Sequence, residues 1–321
     1  MRKKIVVLDD FEKSYKKLAN WSKVESLADV TIFNDPLKGP ELLNELKDAH
    51  AVVLMRDRTP FQADLIKQLP NLEYVVFTGT RNGNLDAAAL KERQIPISHT
   101  EWGPSKESTT ELTWSLILGL QKRLVEQNAL LDRHEWRNEH SVLPVLHGKT
   151  LGLIGLGQIG SRVAKVAVAF GMKVITWSPN MTPERAAAVG AQAASLDEVM
   201  QQSDIISLHI VASSTTNGIV NKEKLALMKK DAVLINTSRA MLVDTDALVH
   251  ALETHSIGGA AVDVFDVEPL PGDHPLRNTP NTLITPHLGF VAQPVFQTFA
   301  DGVLECLEAW LHGQATIRPL P

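Results

Sequence analysis

Residues 151–160 read Leu-Gly-Leu-Ile-Gly-Leu-Gly-Gln-Ile-Gly, and this stretch carries the strongest prediction of the fold. Its apolar start predicts a buried strand, and residues 161–170 continue as a helical pattern. Between them, Gly155, Gly157 and Gly160 have the spacing of a dinucleotide-binding turn. The first glycine permits a tight bend, the second lets a pyrophosphate approach the backbone, and the third lets helix and strand pack closely. The alternative is a tight turn without a ligand.

The second half of a dinucleotide site is less well defined by the sequence. The helix start at Gln158 and Ile159 offers free N–H groups to phosphates. An Asp or Glu about 20 residues after the glycines would bind the ribose 2′-hydroxyl of NAD. Ser178 stands at the end of the second strand instead, and Asn180 and Arg185 follow it. These side chains suit a hydroxyl or a phosphate, so NAD(H) and NADP(H) both remain open.

Short apolar runs alternate with helical patterns on both sides of this stretch. Such alternation predicts parallel sheets, because parallel strands need crossover connections. The first series contains five predicted strands, and the second contains six, the count of a complete dinucleotide-binding sheet. The predicted strands are residues 5–8, 30–33, 51–55, 72–77 and 95–98, and then residues 151–154, 173–177, 204–208, 232–235, 258–264 and 282–284.

The chain changes character near Gly103-Pro104, where a long helical pattern begins that carries leucines at four-residue steps up to Leu124. A helical tail at residues 294–311 follows the last predicted strand and is expected to return to the first half. The prediction is therefore an α/β protein with two doubly wound parallel sheets. A Rossmann cofactor domain at residues 104–288 would be inserted into a flavodoxin-like substrate domain made of residues 1–103 and 289–321.

Bulk properties narrow the classes of function. A chain of 321 residues fits two domains, and its net charge of −5 gives no basic surface for nucleic acid or membrane. A single cysteine, Cys306, excludes an internal disulfide and fits a reducing compartment. The four apolar residues near the start are too few for a signal-peptide core, and no metal-binding spacing occurs among the His residues. We expect a cytoplasmic protein without a metal.

Three polar residues follow predicted strands in the last third of the chain. Arg239, Glu268 and His287 are candidates because an Arg can bind a carboxylate with two hydrogen bonds, and a His beside a carboxylate can transfer a proton near pH 7. Each has an alternative from the residues alone. Arg239 can be a structural ion-pair partner, Glu268 is one of three acids in residues 263–269, and His209 also ends a strand.

Taken together, the motifs resemble those of the D-isomer-specific 2-hydroxyacid dehydrogenases along essentially the whole chain. Several long motifs in the right order are more specific than the glycine turn alone. They are His147-Gly148-Lys149-Thr150 running into the glycine turn, Ser203-Asp204-Ile205-Ile206-Ser207-Leu208-His209, residues 228–239 ending in Asn236-Thr237-Ser238-Arg239, Ala261-Val262-Asp263-Val264-Phe265 with Glu268-Pro269, and Thr285-Pro286-His287-Leu288-Gly289.

The resemblance implies roles for these residues. Arg239 would bind the substrate carboxylate and polarise the carbonyl, His287 would be the acid in reduction and the base in oxidation, and Glu268 would hold the protonated His. Asp263 would fix the nicotinamide carboxamide, and His209 would be structural. The substrate loop would be Gly79, Thr80 and Arg81, whose backbone N–H groups receive the carboxylate. The remaining cofactor-binding residues would be Ser178, Val211, Thr237, Ser238 and Gly289. A homodimer through residues 105–131 is expected on the same ground.

The chain departs from the family pattern at several positions. Ser178 replaces the acid expected for NAD, and Val211-Ala212 stands where Pro-Leu is usual. Arg81 and Phe290 stand where glycine is more often found. We expect no added regulatory domain of the kind found in longer phosphoglycerate-type relatives. We hypothesise that Arg81 favours a second anionic group on the substrate and that Phe290 narrows the pocket.

Three functions fit the resemblance. The leading prediction is an NAD(P)-dependent oxidoreductase that interconverts a small anionic 2-keto acid and its D-2-hydroxy acid. A second is a dehydrogenase of another small anion such as phosphite. Formate is disfavoured as that anion, because related formate dehydrogenases lack the carboxylate that Glu268 supplies here. A third is a nucleotide-sensing binding protein, because transcriptional corepressors share the fold and the catalytic residues.

Overall fold

The computed structural model describes residues 2–320. The chain forms two compact units, each with its own parallel sheet. Unit 1 consists of the residues up to 104 together with those from 292 onward, and unit 2 consists of residues 105–291. The second segment of unit 1 is mainly one long helix, as the tail pattern predicts.

Twelve strands and thirteen α-helices are present within residues 2–320. The strands are β1 (Lys3–Val7), β2 (Ala28–Ile32), β3 (Ala51–Leu54), β4 (Tyr74–Phe77), β5 (Ile97–His99), β6 (Thr150–Ile154), β7 (Lys173–Trp177), β8 (Gln192–Ala193), β9 (Ile205–Leu208), β10 (Val233–Asn236), β11 (Gly259–Val262) and β12 (Thr282–Ile284). The helices are α1 (Tyr15–Leu18), α2 (Ser22–Leu27), α3 (Gly39–Leu46), α4 (Ala63–Ile66), α5 (Ala87–Glu92), α6 (Ser105–Gln121), α7 (Leu124–Asp132), α8 (Gln158–Ala169), α9 (Pro183–Ala187), α10 (Leu196–Gln202), α11 (Lys222–Leu225), α12 (Thr245–Glu253) and α13 (Gln293–Leu311).

The sheet of unit 1 has the strand order β2-β1-β3-β4-β5, with all pairs parallel. This is the flavodoxin-like order, in which the chain reverses its direction of winding between β1 and β3. Strands β3 and β4 are completely buried, as expected for strands covered on both faces. Helix α13 packs against β4 and β5 and against α1 and α2. The predicted flavodoxin-like domain is confirmed.

The sheet of unit 2 has the strand order β12-β11-β10-β9-β6-β7-β8, again with all pairs parallel. Read from β8, this is the Rossmann order with one further strand at the far edge. Helices α6 and α8 contribute to the core on one face, and α10, α11 and α12 contribute to the core on the other. The predicted doubly wound Rossmann sheet is confirmed.

Two details of the sequence prediction are wrong. Unit 2 has seven strands rather than six, because β8 is a two-residue strand without an apolar run to reveal it. The long helical pattern is two helices, since Arg123 between α6 and α7 has a left-handed backbone with φ of 46°. As a result Leu124 is 56% exposed instead of continuing the buried stripe that contains Leu116.

No helix in the described part of the chain combines the length and the apolar character needed to cross a bilayer. Within the same residues, no group of three or more His, Cys, Asp or Glu side chains has the arrangement of a metal site.

Candidate active site

The three predicted catalytic residues follow three neighbouring strands of unit 2. Arg239 follows β10, Glu268 follows β11 and His287 follows β12. The ladders pair the last residue of β10 with the last of β11, and that residue with the last of β12. Adjacent strands lie about 4.8 Å apart. The three residues therefore leave the sheet at one edge, where ligands bind in open α/β sheets.

Glu268 and His287 form a direct pair. Oε2 of Glu268 lies 2.7 Å from Nδ1 of His287, and Oε1 accepts a hydrogen bond from the backbone N–H of Phe265 at 2.9 Å. The carboxylate is therefore fixed at both oxygens. Nε2 of His287 has no hydrogen-bond partner among residues 2–320, and the side chain is 28% exposed. The ring thus has one nitrogen held by an acid and the other available for proton transfer.

The loop that carries His287 is held by a buried acid. His287 has a left-handed backbone with φ of 54°, an uncommon conformation for a residue other than glycine. Asp263 is fully buried; its Oδ1 accepts hydrogen bonds from Thr285 Oγ1 (2.6 Å) and Leu288 N (2.7 Å), and its Oδ2 accepts one from Gly289 N (2.9 Å). Burial raises the pKa of Asp263, although these three hydrogen bonds and the nearby imidazole act in the opposite direction. The acid fixes the loop before and after His287.

Helix α6 supports the same loop and its neighbour. The hydroxyl of Thr109 donates to the carbonyl of Gly289 at 2.9 Å, and the hydroxyls of Thr113 and Thr237 lie 3.0 Å apart. A Cβ on Gly289 would lie 3.3 Å from Oδ2 of Asp263 and 3.4 Å from Thr109, so glycine fits this position closely. Sequence analysis missed both α6 threonines. Their four-residue spacing, one turn apart on a helix beside the sheet, was the available signal.

Arg239 is exposed at the end of a turn that Asn236 stabilises. The buried amide of Asn236 donates to the carbonyl of Arg239 at 3.0 Å and accepts from the N–H of Ser238 at 3.0 Å. The Arg239 guanidinium donates to the carbonyl of Ser238 at 2.7 Å. It makes no ion pair with any other part of the chain that the structure describes. The alternative of a structural ion pair therefore has no support, and the guanidinium can take an anion from solution.

The three glycines of the predicted cofactor turn have different surroundings. Gly155 has φ of 103°, and a Cβ there would lie 2.6 Å from the backbone of His209. A Cβ on Gly160 would lie 2.3 Å from the carbonyl oxygen of Gly155. Gly157 is exposed and has nothing within 4 Å of its Cβ position. The outer two glycines are thus needed for the turn and the packing, and the middle one leaves an open approach, as a pyrophosphate requires.

The start of α8 offers donors at this open position. Gly157 is the N-cap and has no side chain to occupy the helix end. The first backbone bond of the helix runs from Ser161 N to Gly157 O, so the N–H groups of Gln158, Ile159 and Gly160 have no acceptor within residues 2–320. Free N–H groups at the N-terminus of a twelve-residue helix suit a diphosphate. These residues fit the predicted dinucleotide.

The end of β7 presents no acid. Ser178 is half-buried, and its carbonyl accepts from the N–H of Met181 at 3.1 Å. The exposed Arg185 on α9 donates to the carbonyl of Asn180 and forms no ion pair within the described chain. A hydroxyl and a guanidinium that has no ion-pair partner among residues 2–320 therefore stand where a carboxylate would select the 2′-hydroxyl of NAD.

His209, the rival candidate for proton transfer, lies below the glycine turn. Its Nε2 is 2.9 Å from the hydroxyl of Ser207, and burial lowers the pKa of His209 to about 4. The ring is neutral at pH 7 and has a packing role. In the loop that follows His209, Val211 is 76% exposed. Ser238 Oγ donates to the carbonyl of Ile210 at 2.9 Å, and this bond joins two predicted cofactor loops.

The predicted substrate loop lies in unit 1, after β4. The N–H of Gly79 donates to the hydroxyl of Thr100 at 2.9 Å and is therefore not available to a ligand. The N–H groups of Thr80 and Arg81 have no acceptor among the residues that the structure describes. The Arg81 side chain is exposed. Two of the three predicted N–H donors are thus open to an anion.

Comparison with known proteins places this arrangement in context. Residues 114–289 match the family model described as D-isomer specific 2-hydroxyacid dehydrogenase, NAD binding domain. This confirms the predicted cofactor class, NAD(H) or NADP(H). The match covers the glycine turn and the three strand ends with Arg239, Glu268 and His287.

Individual relatives extend the similarity over most of the chain. A glyoxylate reductase of Aeropyrum pernix is 36% identical over 85% of this chain and 83% of that protein. A hydroxypyruvate reductase of Blautia hydrogenotrophica is 30% identical over 97% of each chain. Among solved structures, a phosphoglycerate oxidoreductase from Vibrio cholerae is 34% identical, with a TM-score of 0.89 over 98% of this chain and 100% of that one.

Proposed function

Because the chain belongs to the D-isomer specific 2-hydroxyacid dehydrogenases, we propose that it reduces a small 2-keto acid to the D-2-hydroxy acid and catalyses the reverse oxidation. The observation that carries the proposal is the pairing of Glu268 with His287 at 2.7 Å, with Nε2 of the ring open. The exposed Arg239 at the same sheet edge supplies the matching cation for a carboxylate substrate.

The proposed chemistry divides between cofactor and chain. NAD(P)H held at the glycine turn would supply the hydride that the carbonyl carbon receives. His287 donates the proton on Nε2 to the carbonyl oxygen, and Glu268 balances the charge of the imidazolium before transfer. Arg239 binds the carboxylate and stabilises the negative charge that develops on the carbonyl oxygen. In the oxidation, the neutral imidazole accepts the hydroxyl proton at the same nitrogen.

The cofactor is proposed to bind at the glycine turn of unit 2. Gly157 admits the pyrophosphate, and the N–H groups of Gln158 and Ile159 donate to it. The further cofactor residues keep the roles that the resemblance implies. They are Gly155, Gly160, Ser178, Val211, Thr237, Ser238, Asp263 and Gly289.

The substrate loop of unit 1 is proposed to donate to the carboxylate through Thr80 and Arg81, with Gly79 fixing the turn. A homodimer is proposed as well. It is supported by the family resemblance and by the exposed apolar side chains on α7 and just after it, which are Leu124, Val125, Leu131 and Trp136.

A panel of 2-keto acids against both cofactors tests the function. Glyoxylate and hydroxypyruvate come first, because relatives of this chain have names that refer to these substrates. We expect steady oxidation of NADH or NADPH, followed by absorbance, with at least one keto acid, and the faster cofactor identifies the preference. Phosphite with the oxidised cofactors is the control for a different small anion. Tight cofactor binding without turnover of any member would contradict the proposal and favour a nucleotide sensor.

A further inference from the structure

Arg56 is a buried cation that the proposed reaction does not use. It follows β3 in unit 1, has a left-handed backbone with φ of 54°, and is 6% exposed. A buried guanidinium is tolerated only where hydrogen bonds replace its hydration. Its partners therefore show what this residue holds.

Asp57 Oδ1 lies 3.6 Å from Nη2 of Arg56, and the hydrogen bonds described next connect Arg56 to the loop of residues 78–82. Its Nη1 donates to the carbonyl of Arg81 at 2.5 Å and approaches the carbonyl of Thr78 at 3.4 Å. Its backbone N–H donates to the hydroxyl of Thr78 at 2.9 Å, and its carbonyl accepts from the amide of Asn82 at 2.7 Å. Side chain and backbone of one residue thus bind both ends of this loop.

Trp102 completes the support from the other side. The Arg56 guanidinium lies over the indole ring at 4.1 Å, and the indole N–H donates to the hydroxyl of Thr80 at 2.9 Å. A Cβ on Gly79 would lie 2.9 Å from the Trp102 ring and 3.1 Å from Nη1 of Arg56. The loop is therefore packed directly on the stacked Arg–Trp pair.

These contacts engage the carbonyls and hydroxyls of the loop and leave the N–H groups of Thr80 and Arg81 unbonded within the described chain. We propose that Arg56 is a positioning residue for substrate binding: stacked on Trp102, it fixes the 78–82 loop so that these two N–H groups face an incoming carboxylate. The inference rests on the proposed function for the substrate role of the loop. Lysine cannot replace Arg56, because an ammonium has neither the planar fork nor the stacking face.

The test compares Arg56→Lys with Arg58→Lys. Arg58 is the matched control, since it stands two residues away and is also largely buried, but donates to Glu12 and to the carbonyl of Asp9 rather than to the loop. For Arg56→Lys we expect the KM of the keto acid to rise about tenfold, kcat to change less than about twofold, and cofactor affinity to remain, because loop contacts bind ground state and transition state alike. Hydrogen–deuterium exchange of the bonded N–H groups of Thr78 and Gly79, followed in a peptide spanning residues 74–84, should become faster. Arg58→Lys should change neither the KM of the keto acid nor the exchange rate of the loop.

The same changes in Arg56→Lys and Arg58→Lys, or no change in either, would overturn the proposal. Trp102→Phe keeps a ring for stacking and removes the hydrogen bond to Thr80; a smaller rise in KM, of about threefold, is expected, and an unchanged KM with unchanged exchange counts against the inference. If the unmodified chain reduces no keto acid, the proposed function fails, whereas the exchange measurement still decides whether Arg56 fixes the loop.

Discussion

Two loops, one in each unit, are held by a buried side chain of opposite charge. In unit 2, the carboxylate of Asp263 accepts from the N–H groups of Leu288 and Gly289 on the loop that carries His287. In unit 1, the guanidinium of Arg56 donates to the carbonyls of its loop. A buried anion uses the donors of a loop, and a buried cation uses its acceptors.

The difference determines what each loop can offer to a ligand. The 285–289 loop has its N–H groups occupied and presents a side chain, the imidazole of His287. The 78–82 loop has the carbonyls of Thr78 and Arg81 occupied and presents backbone N–H groups at Thr80 and Arg81. The first suits proton transfer and the second suits binding of an anion, and the sign of the buried charge separates the two.

The largest expected effect is the loss of the imidazole. His287→Ala should reduce turnover by at least about a hundredfold with cofactor affinity intact, because the general acid is removed and the glycine turn is unaffected. His250→Ala, on the exposed face of α12, is the control. Measured kcat and the dissociation constant of NAD(P)H decide the matter. Turnover equal to that of the unmodified chain would remove His287 from the mechanism.

Substitution of Asp263, the buried acid that holds the 285–289 loop, should affect the chemical step more than substrate binding. In Asp263→Asn, one oxygen is replaced by an NH2 group, so one of the three hydrogen bonds to the His287 loop is lost and an N–H donor faces another donor. We expect kcat to fall about tenfold or more with a small change in KM, the reverse of the pattern for Arg56→Lys. The control is Asp266→Asn, since Asp266 is exposed and, among residues 2–320, its side chain bonds only Thr245. A change confined to KM would show that the two loops do not differ as described.

The smallest expected effect concerns Arg81, the exposed side chain on the 78–82 loop that Arg56 holds. Arg81→Ala should lower kcat/KM for dicarboxylate keto acids about two- to fivefold relative to monocarboxylates, the range of an exposed charge pair. The measurement is the ratio of the two specificity constants. The exposed Lys67 supplies the control variant, Lys67→Ala. An unchanged ratio means that the loop recognises its ligand through backbone N–H groups alone.

The sequence was sufficient for the fold because burial on both faces makes each parallel strand a continuous apolar run. Strand β8 was not predicted because its two residues, Gln192 and Ala193, form no such run. The break between α6 and α7 escaped because the left-handed conformation of Arg123 has no signal in residue type. The spacing of apolar residues predicts which side chains are buried, but it does not show a change in one backbone dihedral. Leu124 keeps the four-residue spacing in the sequence although the turn at Arg123 exposes it to solvent.

For the site, the strand-end positions of Arg239, Glu268 and His287 followed from the parallel sheet. The residues that hold the two loops could not be predicted in this way. Arg56 and Thr78 are 22 residues apart in sequence, and their hydrogen bonds depend on which loops the sheet brings together. The resemblance gave Asp263 a contact with the cofactor, and that role stays a prediction. Its bonds to the 285–289 loop became apparent only from the structure.

Helix α13 has a consequence for the order in which the molecule is made. Its buried residues Val295, Phe299 and Val303 complete unit 1, and Trp310 stacks on Tyr74 of β4 at 5.4 Å. A chain synthesised from the N-terminus produces the first five strands before unit 2 and this helix after all of unit 2. The early strands therefore leave the ribosome without the helix that packs on β4 and β5, whereas unit 2 has every residue of its own sheet before α13 is translated.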